Sequence, residues 1–199
     1  MIETDSSYNK FLSPPVITTM PGADLKLPVL SSISLHALSR LDPVLASYQA
    51  EFTVTLRWTD SRLRFDNLRA ESNMNTIRPA EIEFIWFPHF FLDNTRDKVK
   101  NLIDDKSVIK VIRKGTGELS SNQETENKLI FKGKENLLEY ERFYSEEFQC
   151  EFYLHWYPFD YQTCYIDIKP SSLIKVFEFS LIYSNIDISG LCGVGGGQV

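Results

Sequence analysis

Cys150 and Cys164 bracket thirteen residues, E-F-Y-L-H-W-Y-P-F-D-Y-Q-T, and both flanks alternate apolar with polar side chains. On the approach, Phe148, Cys150, Phe152 and Leu154 fall on one face and Gln149, Glu151, Tyr153 and His155 on the other. On the exit, Cys164, Ile166 and Ile168 keep the same period of two. Alternation of this kind marks half-buried strands, because successive side chains of a strand point to opposite faces. Two cysteines at the ends of an aromatic, proline-containing turn between two strands read as a disulfide that closes a loop. The alternative is metal ligation. A lone pair at this spacing lacks the companion His or Cys of a zinc site, and His36, His89 and His155 are scattered along the chain. Neither a metal nor any other cofactor is expected. A disulfide implies an oxidising compartment, and closing a loop of this size stabilises a domain by about 3 kcal/mol in the chain-entropy description.

The period of two recurs elsewhere. In 51–58, Phe52, Val54, Leu56 and Trp58 interleave with Glu51, Thr53, Thr55 and Arg57. Further strands are expected at 27–38 and around Phe177, Phe179 and Leu181, with shorter ones at 82–86, 108–113 and 128–131. Turn signals separate them: Arg40-Leu41-Asp42-Pro43, Thr59-Asp60-Ser61, Gly115-Thr116-Gly117 and Lys132-Gly133-Lys134. Many short strands at such spacing predict an all-β sandwich or barrel. A short helical turn is the one exception, at Arg78, Pro79, Ala80 and Glu81. The aromatic share of 13% suits a core built between sheets. Three segments are expected: a polar, loose leader at 1–22, one domain at 23–189, and a glycine-rich tail at 190–199 that holds an unpaired Cys192. The polar stretch 118–127 is expected to be an exposed hairpin tip or loop.

Charge and composition remove several classes of function. The net charge of −6 disfavours nucleic acid and anionic membranes, since either requires a basic face. No apolar run of about eighteen residues, the length a spanning helix needs, occurs in the sequence. The opening M-I-E-T-D-S-S-Y-N-K has neither the basic region nor the apolar core of a secretory leader. An enzyme is not expected: there is no nucleophile elbow, no phosphate-cradling glycine loop and no paired His motif. Glu146 and Glu147 are neighbours on a strand and point to opposite faces, so they are not a catalytic pair.

Four patches, in order, resemble the extracellular ligand-binding domain of the Cys-loop, pentameric ligand-gated receptors. R-W-T-D-S-R-L-R-F, from Arg57 to Phe65, is similar to the family's Trp-x-Asp-x-x-Leu segment. I-W-F-P-H-F-F-L-D-N, from Ile85 to Asn94, is similar to its Ile-Trp-x-Pro-Asp element. The strand into Cys150 follows, and then the signature loop with Tyr-Pro-Phe-Asp and Gln-x-Cys. The resemblance covers roughly residues 25–185. It implies the immunoglobulin-like twisted β-sandwich of that ectodomain, incomplete at its C-terminal edge, where the glycine tail stands in place of the loop C hairpin.

The resemblance also implies roles. Cys150 and Cys164 form the signature disulfide, and Tyr157, Pro158, Phe159 and Asp160 form the loop that couples binding to the pore. Phe91 matches a loop A aromatic of the pocket, and Thr53, Thr55 and Arg57 lie along the complementary loop D face. Trp58, Asp60, Trp86 and Pro88 are scaffold. The implied partners are a small transmitter-like ligand and homologous subunits in a pentamer, on the extracellular side of the plasma membrane, with the membrane reached only through pore helices that this sequence lacks. Two departures stand out. His89 replaces the usual Asp, and Lys169-Pro170-Ser171-Ser172 replaces the loop B aromatic. The alternatives are a secreted soluble transmitter-binding homologue, a non-functional or regulatory truncated subunit, and a purely structural adhesion module.

Overall fold

The computed structural model describes residues 2–4, 7–15, 27–96, 98–119, 128–157, 159, 161–170 and 177–182. In chain order the strands are β1 (Ile2–Thr4), β2 (Leu27–Asp42), β3 (Ser47–Trp58), β4 (Leu63–Asp66), β5 (Phe90–Leu92) and β6 (Ser107–Ile112). They continue with β7 (Glu118–Leu119), β8 (Leu129–Lys132), β9 (Leu137–Gln149), β10 (Ile168–Pro170) and β11 (Phe177–Ile182). One four-residue helix, α1 (Pro79–Ile82), lies between β4 and β5. The strands form a five-stranded sheet in the order β11-β2-β3-β9-β6, a four-stranded sheet β1-β4-β8-β7 and a two-stranded ribbon β10-β5. Among the described residues all pairings are antiparallel except β11 with β2. The fold is an all-β sandwich.

Strand β3 organises the core. Tyr48, Ala50, Phe52, Val54, Leu56 and Trp58 are all buried on its inner face, and Leu138, Tyr140, Tyr144 and Phe148 join them from β9. The rings interlock: Phe52 stacks on Tyr144 at 5.4 Å, Tyr48 on Phe148 at 5.5 Å, and Trp58 meets the edge of Phe87 at 5.7 Å. Burying each such side chain contributes roughly 2–3 kcal/mol. The polar residues of β3 fill its outer face, as the alternation requires.

Besides the exit from the closed loop, where the strand begins only at Ile168 and leaves Cys164 and Ile166 outside it, the structure departs from expectation in four places. Residues 82–86 are not a strand. Pro79 opens a helical turn with Arg78 and Glu81 paired across it, and Ile85 N–H donates to Ile82 O at 3.1 Å. Ile82, Ile85 and Trp86 are the buried residues there, a spacing of three to four rather than two. Second, the approach strand ends at Gln149 instead of running to His155. β3 begins at Ser47, opposite Gln149, so pairing stops there, and Leu154–Trp156 winds into a 3-10 turn with Leu154 exposed. Third, β2 reaches Asp42, with register shifts at Leu35/Ala37 and Ser39/Asp42. Fourth, the expected loose leader contains β1, whose Ile2 and Thr4 pair with Phe65 and Leu63.

Candidate functional site

The loop between Cys150 and Cys164 is held at its base by more than the disulfide, which sets the two Cα atoms 5.4 Å apart. Cys150 N–H donates to Ala46 O at 2.8 Å, and Gln149 N–H to Asn94 O at 2.9 Å. On the other side, the Tyr48 hydroxyl donates to Tyr165 O at 3.0 Å, and Asn94 Oδ1 accepts Asp167 N–H at 2.9 Å. Inside the loop, the Gln162 side chain acts as a rung. Its Oε1 accepts Tyr153 N–H at 2.9 Å and its Nε2 donates to Tyr153 O at 3.0 Å. Beyond this rung the chain turns, with Phe159 N–H donating to Trp156 O at 2.7 Å, and Tyr157 and Phe159 stand in solvent. Pro158 and Asp160 lie outside the described residues. An apolar tip on a base clamped to the sheet is suited to docking, because it moves as one piece with the strands beneath it.

The second group is the outer face of the five-stranded sheet. The registers set Ser34, Thr53 and Phe143 in one row, Ser32, Thr55 and Glu141 in the next, and Leu30, Arg57, Glu139 and Lys110 in a third. His36, at the β2 register shift, hydrogen-bonds Thr53 Oγ1 through Nε2 at 2.7 Å and stacks on Phe143 at 5.9 Å. Arg57 Nε binds Glu139 Oε2, while Lys110 Nζ sits 2.9 Å from Glu139 Oε1. Burial works to raise the Glu139 pKa, but Lys110 and Arg57 outweigh it, and the carboxyl titrates below the ordinary range. Arg57 therefore already holds a carboxylate of its own chain, Thr53 is engaged by His36, and Thr55 lies between Ser32 and Glu141 on the same face.

Phe91 stands elsewhere, on the β5–β10 ribbon opposite Lys169. Lys169 Nζ binds Asp93 Oδ2, and Lys98 lies 3.5 Å from the other oxygen. The loop A candidate thus belongs to one sheet and the loop D candidates to another. Cavities open on the surface among the described residues. One of about 380 Å³ is lined by Arg40, Asp42, Leu45, Ser47, Gln49, Ser145 and Glu147, and one of about 470 Å³ by Asn67, Leu68, Arg69, Ala70, Arg113 and Leu129. Neither includes Thr53, Thr55, Arg57 or Phe91.

Trp58, Asp60, Trp86 and Pro88 are all buried. Asp60 receives Arg62 Nη2 at 2.7 Å and the Tyr8 hydroxyl at 3.2 Å. That hydroxyl in turn accepts Trp86 N–H at 2.8 Å, and burial pushes the Tyr8 pKa up to about 12, so it stays protonated. Asn101 fixes the segment before Phe91: its Nδ2 donates to Pro88 O and its Oδ1 accepts Phe90 N–H, both at 3.0 Å. Burial, aided by Lys100, lowers the His89 pKa. The neutral ring then donates from Nδ1 to Asn101 Oδ1 at 3.3 Å. Tyr8, Tyr48 and Asn101 are not among the residues the sequence singles out, and Asn94 and Gln162 occur there only inside quoted motifs, with no role given to them. For Gln162 a signal existed, since it belongs to the Gln-x-Cys end of the loop motif.

Among the described residues no group of three or more His, Cys, Asp or Glu is placed to hold a metal, and no helix is long and apolar enough to cross a membrane. Compared with known families, residues 3–175 match the family model described as the neurotransmitter-gated ion-channel ligand binding domain.

Proposed function

We propose that this chain, which belongs to the neurotransmitter-gated ion-channel ligand-binding domain family, binds a small transmitter-like molecule where two homologous subunits meet and passes that event to a pore. The family is one of extracellular channel domains and not of enzymes. On this proposal the chain works at the plasma membrane, on its outer side, in a ring of five like subunits. The separation of the candidate residues supports a site shared between subunits. The outer face of β3 and β9, with Thr53, Thr55 and Phe143, would meet the β5–β10 ribbon of the next subunit, with Phe91.

What supports transmission most is the loop closed by Cys150 and Cys164. Its base is bonded to the β2–β3 turn and to the β5–β6 connection through Ala46 and Asn94, while Phe159 projects free. Tyr157, Pro158, Phe159 and Asp160 are the proposed coupling residues. A ligand would act by binding one arrangement of neighbouring subunits better than another, which shifts the population of pore states. Arg57 acts through Glu139 in shaping the outer face. It is not the proposed arm for a ligand carboxylate.

The test joins residues 3–182 to the pore-forming part of a channel of the same family and records currents evoked by a panel of transmitters. Phe159→Ala is expected to lower the maximal current while leaving ligand occupancy unchanged. Thr53→Val is expected to shift the concentration for half-maximal current. Surface-expressed pentamers that neither bind nor respond to any transmitter would rule the proposal out.

A further inference from the structure

The loop closed by Cys150 and Cys164 exposes far more aromatic surface than a single docking knob needs. Tyr153, Trp156, Tyr157, Phe159 and Tyr161, with Tyr165 just past the closing cysteine, are each between 71% and 87% exposed. A second element adds to them. Cys150 N–H bonds Ala46 O at 2.8 Å, so the β2–β3 turn abuts the loop base, and there Val44 and Leu45 are 92% and 61% exposed. Asp42 holds that turn through Val44 N–H and Leu45 N–H, both at 2.9 Å. Two separately braced loops thus present apolar side chains at one end of the sandwich. Monomeric proteins rarely leave such a patch uncovered.

Its chemistry says what covers it. Five of the six rings carry a polar tip, a tyrosine hydroxyl or the indole N–H, on an apolar body. Side chains of that kind concentrate at the headgroup level of bilayers, where one end is dry and the other wet. Charge narrows the choice. From Cys150 to Tyr165 the sequence has no Lys or Arg, while Glu151 and Asp160 are acidic; where β2 runs into the β2–β3 turn, Arg40 and Asp42 offset each other, so the two elements together carry a net negative charge. An anionic lipid surface would be repelled. The outermost group of phosphatidylcholine is a quaternary ammonium, which aromatic faces and carboxylates attract.

We propose that this end of the molecule is a membrane contact at headgroup depth, selective for phosphatidylcholine, with Trp156 among its anchoring rings. This goes beyond transmission to a pore: the rings that flank Phe159 meet lipid whether or not Phe159 meets a channel segment.

The chain carries its own probe. Of its three tryptophans, Trp58 and Trp86 are 1% and 3% exposed and Trp156 is 74% exposed, so an emission shift without unfolding comes from Trp156. The whole 199-residue chain is titrated with phosphatidylcholine vesicles, with the near-UV circular dichroism checked at each point. The expected result is a blue shift of emission and quenching by lipid brominated near the headgroup. In vesicle flotation, Trp156→Ala is expected to weaken partitioning about tenfold, the loss of one large apolar side chain. Tyr161→Ser, also at an exposed position, should weaken it in the same direction. Three outcomes overturn the proposal: a folded chain whose emission is unmoved by phosphatidylcholine, equal or stronger binding to phosphatidylglycerol, or a lipid-free shift that grows with protein concentration. The last would mean that a second copy of the chain covers the patch. None of these readouts depends on ligand binding or on current, so failure here leaves the channel function standing.

Discussion

Replacing Glu139 by Gln isolates the ionic row on the outer face of the sheet. The carboxylate is 5% exposed and faces Lys110, 18% exposed, and Arg57, 40% exposed. At the 2.9 Å that separates Lys110 from Glu139, the gross attraction is about 6 kcal/mol at an effective dielectric of about 20. Desolvation consumes much of that. Breaking a buried pair by removing one partner costs about 3–5 kcal/mol, and the partial exposure of Arg57 lets water take over some of its bonding. Glu139→Gln should therefore cost about 2–3 kcal/mol at neutral pH. The gap must also depend on pH. The folded-state pKa of Glu139 is depressed, so its contribution is complete above the unfolded carboxyl's value and disappears as pH falls through the folded one. Glutamine resembles the protonated acid, so urea unfolding curves of the two proteins should converge as the pH is lowered from 7 towards 3. A gap that stays constant over that range, or a variant as stable as the parent at pH 7, would mean that the Glu139 carboxylate does not hold this row together.

Two further perturbations follow from the geometry. Replacing both Cys150 and Cys164 by Ser should cost about 3 kcal/mol in urea unfolding. It should leave the β3–β9 core formed, because the loop base keeps its bonds from Cys150 N–H and Tyr48. Collapse of the whole near-UV spectrum would contradict that. Tyr8→Phe removes the hydroxyl that accepts Trp86 N–H and donates to Asp60, and about 1–2 kcal/mol is expected from unfolding curves. Exchange of the Trp86 amide should speed up more than that of amides in the β3–β9 ladder.

Much of this was legible in the sequence, and the exceptions have physical causes. Strand β3 could be read directly because one of its faces is wholly buried and the other polar, so alternation and burial coincide. The segment 82–86 misled because Ile82, Phe84 and Trp86 also alternate. A proline at the first turn and the Arg78–Glu81 pair favour a helix, and they lie just upstream of the apolar run. The approach to Cys150 misled for a different reason. Its alternation continues, but its partner strand ends, and where a neighbour ends is a property of another part of the chain. In the candidate site, the alternating threonines were visible while their neighbours were not. Nothing local to Arg57 reveals Glu139, eighty-two positions away, and nothing local to Phe91 reveals Asn101. Buried polar side chains that hold loops at long range leave no periodicity to detect.

Strand β3 pairs with β9 at twelve successive positions, from Ser47 opposite Gln149 to Trp58 opposite Leu138, with no interruption. Its pairing with β2 is broken twice by register shifts. Mechanically the two sides of β3 are unlike. A ladder without defects resists sliding, because one residue of slip would turn every inward ring out to solvent, whereas shifted positions twist and bend more easily. A force applied at Thr53 and Thr55 would therefore travel along β3 and β9 as along a single stiff rod, with the give confined to β2. The rod ends at Ser47 and Gln149, one residue from Ala46 and Cys150. The compliance of the domain is thus distributed so that a load on the outer face arrives at the root of the closed loop with little lost on the way.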